Sequence, residues 1–318
     1  MPTPTNPSRA ADPAFNRVLL AIDDTEASLR AAEYTNALFG SRAEIALVCV
    51  AQNPRTLFPL GATTQALLAA ARDELLADAS AALQKTAALF TGPAPTTHLI
   101  DLSKREGDAV NAILDTAAHW QTDLLVMGAR HHRWLLRWVE GTVSEPLARR
   151  ATSSLLLVPE NSRVRTDTAP QRILFALDGS AYSLGALRMG LDLASADAQL
   201  RTIYIVDRAV HLFDIAPVDM LEGAFLEEGR VALELAQRIL DDEGRAAQCA
   251  LVETHRTGDD VPHAIVRDAQ QWNADLIVIG THGRRGMARW FLGSVAARTL
   301  RIADTPVLLA RPAELMQS

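Results

Sequence analysis

The sequence predicts an α/β fold: two tandem units, each a parallel sheet with helices on both faces. Three observations carry the prediction. Short apolar runs such as residues 17–22, 123–128 and 275–280 have the length and residue types of strands buried on both sides. Longer stretches with helical spacing alternate with them, the pattern that builds right-handed βαβ crossovers. The whole pattern also runs twice. Gly128, Gly141 and Leu155 return 152 positions later as Gly280, Gly293 and Val307, a duplication of one unit of about 150 residues rather than a short solenoid repeat.

A chain of 318 residues is long enough for two such units with proper cores. The net charge of −7 argues against a general nucleic-acid binder. No apolar run is long enough to cross a membrane, and the first residues lack a signal-peptide core, so the expected location is cytoplasmic. Cys49 and Cys249 each lie in an apolar, strand-like run and read as small buried hydrophobes in a reducing compartment.

Residues 1–15 are rich in proline and polar side chains and are expected to be disordered. The first unit, residues 16–160, opens with a strand from Arg17 to Ile22. An Asp23-Asp24-Thr25 turn leads to a helix from about Ala27 to near Gly40. A second strand covers 44–50 and a loop 53–61. A long helix spans 63–90, with an apolar stripe of Leu67, Leu68, Leu75, Leu76, Leu83 and Leu89. A third strand at 96–103, a helix at 108–119 and a fourth strand at 123–128 follow. A loop rich in Arg, His and Trp leads to Gly141-Thr142, a helix to about Arg150 and a last strand at 154–158. Residues 161–171 are polar, with Pro170, and read as a linker. The second unit, residues 172–313, repeats the series. Strands are expected at 172–177, 200–206, 247–254, 275–280 and 307–309, and the long helix at 219–243.

The stretch 280–294, GTHGRRGMARWFLGS, sits between the fourth apolar run of the second unit and a helical stretch at 295–302. Glycine permits a close backbone approach, and the first amides of a helix lack internal partners and carry the positive end of its dipole. With Ser294 adding a hydroxyl at the cap position, the stretch suits phosphate oxygens. Chemistry alone equally allows a glycine turn with Ser294 as an ordinary N-cap.

The spacing Gly280-x-x-Gly283-x9-Gly293-Ser294 is similar to the nucleotide-binding signature of the universal stress protein family, and the resemblance runs over nearly the whole chain, twice. It implies Rossmann-like domains of the adenine nucleotide alpha hydrolase-like kind. Each has five strands in the order 3-2-1-4-5, with a crevice at the switch point between the first and fourth strands. The cofactor it implies is ATP, with a Mg²⁺ that the nucleotide itself would carry. Asp178 would lie near the adenosine end or a phosphate-bound metal, with a plain turn residue before Gly179 as the alternative. Ala176 and Leu177 would flank the base, and Val206 would meet adenine through its backbone or serve only as core. Gly280 and Gly283 would let the loop pass the ribose and phosphates. Gly293, Ser294 and Val295 would hold phosphate. His282, Arg284 and Arg285 would reach phosphates or remain solvated loop charges.

The first unit departs from this pattern. Its aligned stretch reads Gly128-Ala-Arg-His131, then nine residues, then Gly141-Thr142, so an imidazole replaces the second glycine. Asp24 adds negative charge where the second unit has Gly179. This half is expected to have lost or altered nucleotide binding. His131 and His132 do not supply a complete metal ligand set, since adjacent residues rarely do; with Arg130 and Arg133, His131 suits another anion. The sequence contains neither a Walker A lysine motif nor a base with an oriented partner, so catalysis beyond weak ATP hydrolysis is not expected. An ATP pyrophosphatase-type loop is also missing, because residues 178–183 read Asp-Gly-Ser-Ala-Tyr-Ser. The reading is an ATP-binding, stress-responsive regulatory protein. Its alternatives are a nucleotide-free scaffold or, less favoured, an ATP-using enzyme. The last strands of the two units, which pair in the family, suit pairing within this chain, and two chains are open to forming a homodimer. Neither a nucleic acid nor a membrane is an expected partner.

Overall fold

The computed structural model describes residues 13–57, 65–129, 143–208, 218–255, 259–283 and 292–312. The first unit opens on β1 (Arg17–Ile22), a run of aliphatic residues buried from Val18 onward. A side chain pins its start: Asp123 Oδ2 accepts the amides of Asn16 at 2.9 Å and Arg17 at 2.8 Å. Helix α1 (Glu26–Phe39) begins where Thr25 accepts the Ser28 amide. It ends at Gly40, whose φ of 46° favours glycine. Then come β2 (Glu44–Ala51), the single turn α2 (Pro54–Leu57), α3 (Gln65–Ala87), β3 (Thr96–Asp101), α4 (Ala109–His119), β4 (Leu124–Ala129), α5 (Ser144–Arg150) and β5 (Ser154–Pro159). The second unit contains β6 (Arg172–Leu177), α6 (Ala181–Leu191), β7 (Gln199–Val206), α7 (Val218–Asp242), β8 (Ala247–Glu253), α8 (Val261–Trp272), β9 (Leu276–Gly280), α9 (Ser294–Ile302) and β10 (Val307–Ala310). Asp275 takes the part of Asp123, accepting the amides of Gln171 and Arg172 at 2.9 Å each.

Among the described residues the strands form one sheet in the order β3-β2-β1-β4-β5-β10-β9-β6-β7-β8. Each unit therefore has the expected 3-2-1-4-5 order, with parallel pairing throughout. At the centre β5 and β10 pair antiparallel, with Leu155, Leu156 and Leu157 opposite Leu309, Leu308 and Val307. All six of these residues are buried, and each such side chain contributes about 2 kcal/mol of apolar burial. The expected pairing of last strands thus occurs inside one chain.

The two faces carry two cores. One packs under α1, α3, α6 and α7, around Tyr34, Leu38, Leu83, Leu187 and Leu240. The other packs under α4, α5, α8 and α9, around Ile113, Leu147, Ile265 and Leu300. Both draw residues from both units, so apolar packing is continuous across the central seam. Polar ties reinforce it. The Tyr34 hydroxyl donates to the Asp275 carbonyl at 3.1 Å, and the Ala14 amide to Asp192 Oδ2 at 2.8 Å. The linker lies against α1: Arg30 donates to the carbonyls of Ser162 and Val164, and Thr166 donates to Glu33 at 2.6 Å.

Four expectations need correction. Phe15 was expected in a disordered segment; it is buried and sits edge-on to Phe39 with ring centroids 6.2 Å apart. The expected loop after β2 contains the helical turn α2. The leucine stripe of α3 is buried only toward its C-terminal end, at Leu83, while Leu67 is exposed. The two cysteines differ. Cys49 is buried on the interior strand β2, but Cys249 is exposed on β8, the edge strand of the second unit. Burial, with Asp23 nearby, pushes the Cys49 thiol up to about 11. In the native protein a disulfide-exchange reagent at pH 8 is expected to titrate one thiol promptly and the second only after denaturation. Two equally fast thiols would contradict the buried placement of Cys49.

Candidate functional site

Because β5 and β10 run antiparallel, the carboxyl ends of the two units' strands lie at opposite edges of the sheet. In the second unit the switch point falls between β6 and β9, which end at Leu177 and Gly280. The turn after β6 is tightly organised. Asp178 Oδ1 accepts the Ser180 amide at 3.0 Å and the Ser180 hydroxyl at 2.6 Å, and Gly179 takes a φ of 78°. Ser180 then caps α6 by accepting the Ser183 amide.

The facing wall comes from β9 and the loop after it. Gly280 packs on the first turn of α6. A Cβ there would lie 3.1 Å from the Tyr182 carbonyl carbon and oxygen. Gly283 faces the other oxygen of the turn carboxylate, and a Cβ on it would fall 2.7 Å from Asp178 Oδ2. The sequence-predicted pair Asp178 and Gly283 is thus brought together at the crevice. The Gly293 amide donates to the Thr281 carbonyl at 2.9 Å, tying the start of α9 back to the end of β9.

Among the described residues four α-helices are closed at their start by a side chain, whereas the cap residues of α5 and α9 supply none. Thr25, Asp108, Ser180 and Asp260 close α1, α4, α6 and α8 with side-chain hydrogen bonds. Gly293 precedes α9 with φ −57° and ψ 145° and supplies none, so among the described residues no capping side chain covers the first amides. Ser294 is the first helical residue rather than the cap; its side chain is exposed, and Val295 is half-buried.

Other expected residues sit deeper. Ala176 and Leu177 are both buried and point into the two opposite cores, so they offer the crevice only backbone atoms. Val206 is buried, and its carbonyl already accepts the Thr254 amide at 3.1 Å. His282 is not a solvated loop charge. It is 6% exposed, its Nδ1 lies 3.0 Å from Thr281 Oγ1, and its ring meets Tyr182 at a centroid distance of 5.0 Å. Arg284 and Arg285 lie outside the described residues, as do Arg130, His131, His132, Arg133, Gly141 and Thr142 of the first unit. Sequence reasoning missed Tyr182, Thr281 and Thr254. The Ser180-x-x-Ser183 spacing places Tyr182 in the first turn of α6, a signal that was available, whereas nothing local links it to His282.

The first unit's switch point, between β1 and β4, is built differently. Asp23 accepts hydrogen bonds from the hydroxyls of Thr25 and Ser28. Gly128 is pressed against backbone, where a Cβ would lie 2.3 Å from the Ala27 carbonyl carbon and oxygen. Helix α5 runs from Ser144 with Val143 at its N-cap, rather than from Thr142. Among the described residues no three His, Cys, Asp or Glu side chains are grouped to hold a metal ion, and no helix is long and apolar enough to cross a membrane.

These features define a class: a duplicated α/β protein with two parallel five-stranded units and a glycine-lined crevice at the switch point of the second. A family model described as the universal stress protein family matches residues 14–159 and again residues 170–311. The chain belongs to the universal stress protein family. It is 33% identical over 156 residues to a universal stress protein of Methanocaldococcus jannaschii, covering 48% of this chain and 88% of that one. It is 28% identical over 250 residues to one from Mycobacterium tuberculosis, covering 74% of this chain and 75% of that protein. Among solved structures, a universal stress protein from Archaeoglobus fulgidus superposes with a TM-score of 0.63 at 18% identity, over 94% of this chain and 99% of that one, a likeness of fold.

Proposed function

We propose that the second unit binds ATP in the crevice between β6 and β9, and that the chain is a nucleotide-responsive regulatory protein with slow or no hydrolysis. The observation that carries the reading is the start of α9, without a capping side chain among the described residues and tied back to the end of β9, where Gly280 meets the first turn of α6 and Gly283 faces Asp178. Open amides at the positive end of a nine-residue helix suit phosphate oxygens. The amides of Ser294 and Val295, with the Ser294 hydroxyl, would hold the phosphates, and Arg284 would reach them from the loop. The base would lie along the backbone of Ala176, Leu177 and Val206. His282 would act as wall, its ring tilted against that of Tyr182, rather than as a phosphate ligand. The donor set also fits a Mg²⁺ arriving with the nucleotide, since the Asp178 carboxylate faces the loop. Bound there, the ion would neutralise phosphate charge.

In this reading the first unit is structural. Asp23 and Asp24 put carboxylates at its turn, and the Ala27 backbone fills the space beside Gly128. The test is to denature freshly purified protein and identify any released nucleotide against the molar amount of chain. About one ATP per chain is expected. Two would show that the first unit also binds. None, even after soaking with ATP and Mg²⁺, would favour the nucleotide-free scaffold.

A further inference from the structure

Arg311 leaves β10 at the same edge of the sheet as the second unit's crevice, and it is 6% exposed. Ala310 pairs in parallel register with Gly280. Arg311 and Thr281 come next on their strands, so their backbones stand about 5 Å apart, one strand spacing. Leu309 and Ile279 both belong to the core under α5 and α9, and side chains two residues on share that face. Arg311 therefore lies one strand away from Thr281, whose carbonyl anchors Gly293 at the start of α9.

The hydrogen bonds of Arg311 reach the other unit. Its amide donates to Ser154 Oγ at 3.0 Å, and its Nη2 donates to the Ala148 carbonyl near the end of α5. Its Nε has no hydrogen-bond partner among the described residues. No carboxylate pairs with it there either, and burial alone lowers its pKa to about 10. Two other arginines on the flanking helices are neutralised: Arg149 pairs with Glu145 at 2.9 Å, and Arg298 with Asp260 at 2.8 Å. Capping of α5 accounts for the bond to Ala148. A neutral donor would serve that bond too, whereas a buried charge with no carboxylate beside it among the described residues is costly and little screened by solvent.

We infer that Arg311 is a specificity-determining residue of the second unit's crevice, its buried charge, which no carboxylate pairs among the described residues, favouring ligands with several negative charges over neutral ones. A nucleoside triphosphate is preferred to its nucleoside through this field, without direct contact. The inference rests on the reading of the crevice as an adenine nucleotide site.

The test is calorimetric titration of the full chain with ATP and with adenosine, for wild type, Arg311→Gln and Arg311→Lys. Arg311→Gln, which loses the charge and, being shorter, also the bond of Nη2 to Ala148, is expected to weaken ATP about tenfold and leave adenosine within about twofold. Arg311→Lys keeps the charge and should keep the preference. Should the glutamine variant fail to fold, Arg311→Met serves the same comparison. Melting temperatures are measured alongside, because a purely structural clamp would move them while leaving the ATP-to-adenosine ratio unchanged. An unchanged ratio in the neutral variant, or an equal loss of preference in the lysine variant, overturns the inference and leaves the crevice assignment standing. Wild-type protein that binds neither ligand would sink both.

Discussion

Gly283→Val is expected to weaken ATP binding by about a hundredfold or more, equivalent to roughly 3 kcal/mol, with a smaller loss of stability. The Cβ alone would fall 2.7 Å from Asp178 Oδ2, and the valine methyl groups would extend further into the space between that carboxylate and the loop. The crevice cannot widen freely, because Asp178 is held by the Ser180 amide and hydroxyl and Gly293 is tied to Thr281. Gly283 itself is exposed, so the folded state loses little packing, and relieving the contact with Asp178 is expected to cost about 1 kcal/mol of stability, well below the loss in binding. Calorimetric titration with ATP and a urea unfolding curve on the same sample separate the two effects. Undiminished ATP affinity in this variant would remove Gly283 from the site.

Gly128→Val should do the opposite, damaging the fold rather than a ligand site. The nearest atoms to its missing Cβ are the carbonyl carbon and oxygen of Ala27 at 2.3 Å and the amide of Ser28 at 2.7 Å, all backbone at the start of α1. A rotamer change cannot relieve such a contact; α1 must lift from β4. That helix carries Tyr34, Leu38 and Phe39 into the core and holds the linker through Arg30. A loss of about 3 kcal/mol, the upper end of overpacking costs, is expected from urea unfolding. An unfolding midpoint equal to wild type would mean that α1 does not sit this closely on β4.

The contrast between these glycines shows what the sequence could and could not disclose. Strand positions were legible because a parallel strand covered on both faces must be apolar throughout, and residues 17–22, 123–128 and 275–280 are nearly so. The duplication was legible as a constant offset. The order of the strands came through the family resemblance, since periodicity says nothing about which strand lies beside which. Gly128 and Gly280 read alike in sequence, yet one fits against backbone far more tightly than the other. That difference depends on how closely α1 and α6 approach the sheet, a property of tertiary packing. The same holds for Leu67, which continues the helical stripe of Leu75, Leu76 and Leu83 beyond the part that meets the core and is exposed, and for Cys249, whose apolar neighbours conceal an edge strand. The Tyr182–His282 contact joins residues a hundred positions apart, and only the fold makes them neighbours.

The antiparallel seam between β5 and β10 fixes more than geometry. Its two strands belong to one polypeptide, so their association is intramolecular and is not lost on dilution as it would be between separate subunits. Neither half can exchange its mate for another copy without first tearing the shared core. A tightly packed Gly128 and a more open Gly280 therefore always occur in a ratio of one to one. The inequality between the halves is written into each molecule at translation and does not depend on which subunits happen to meet.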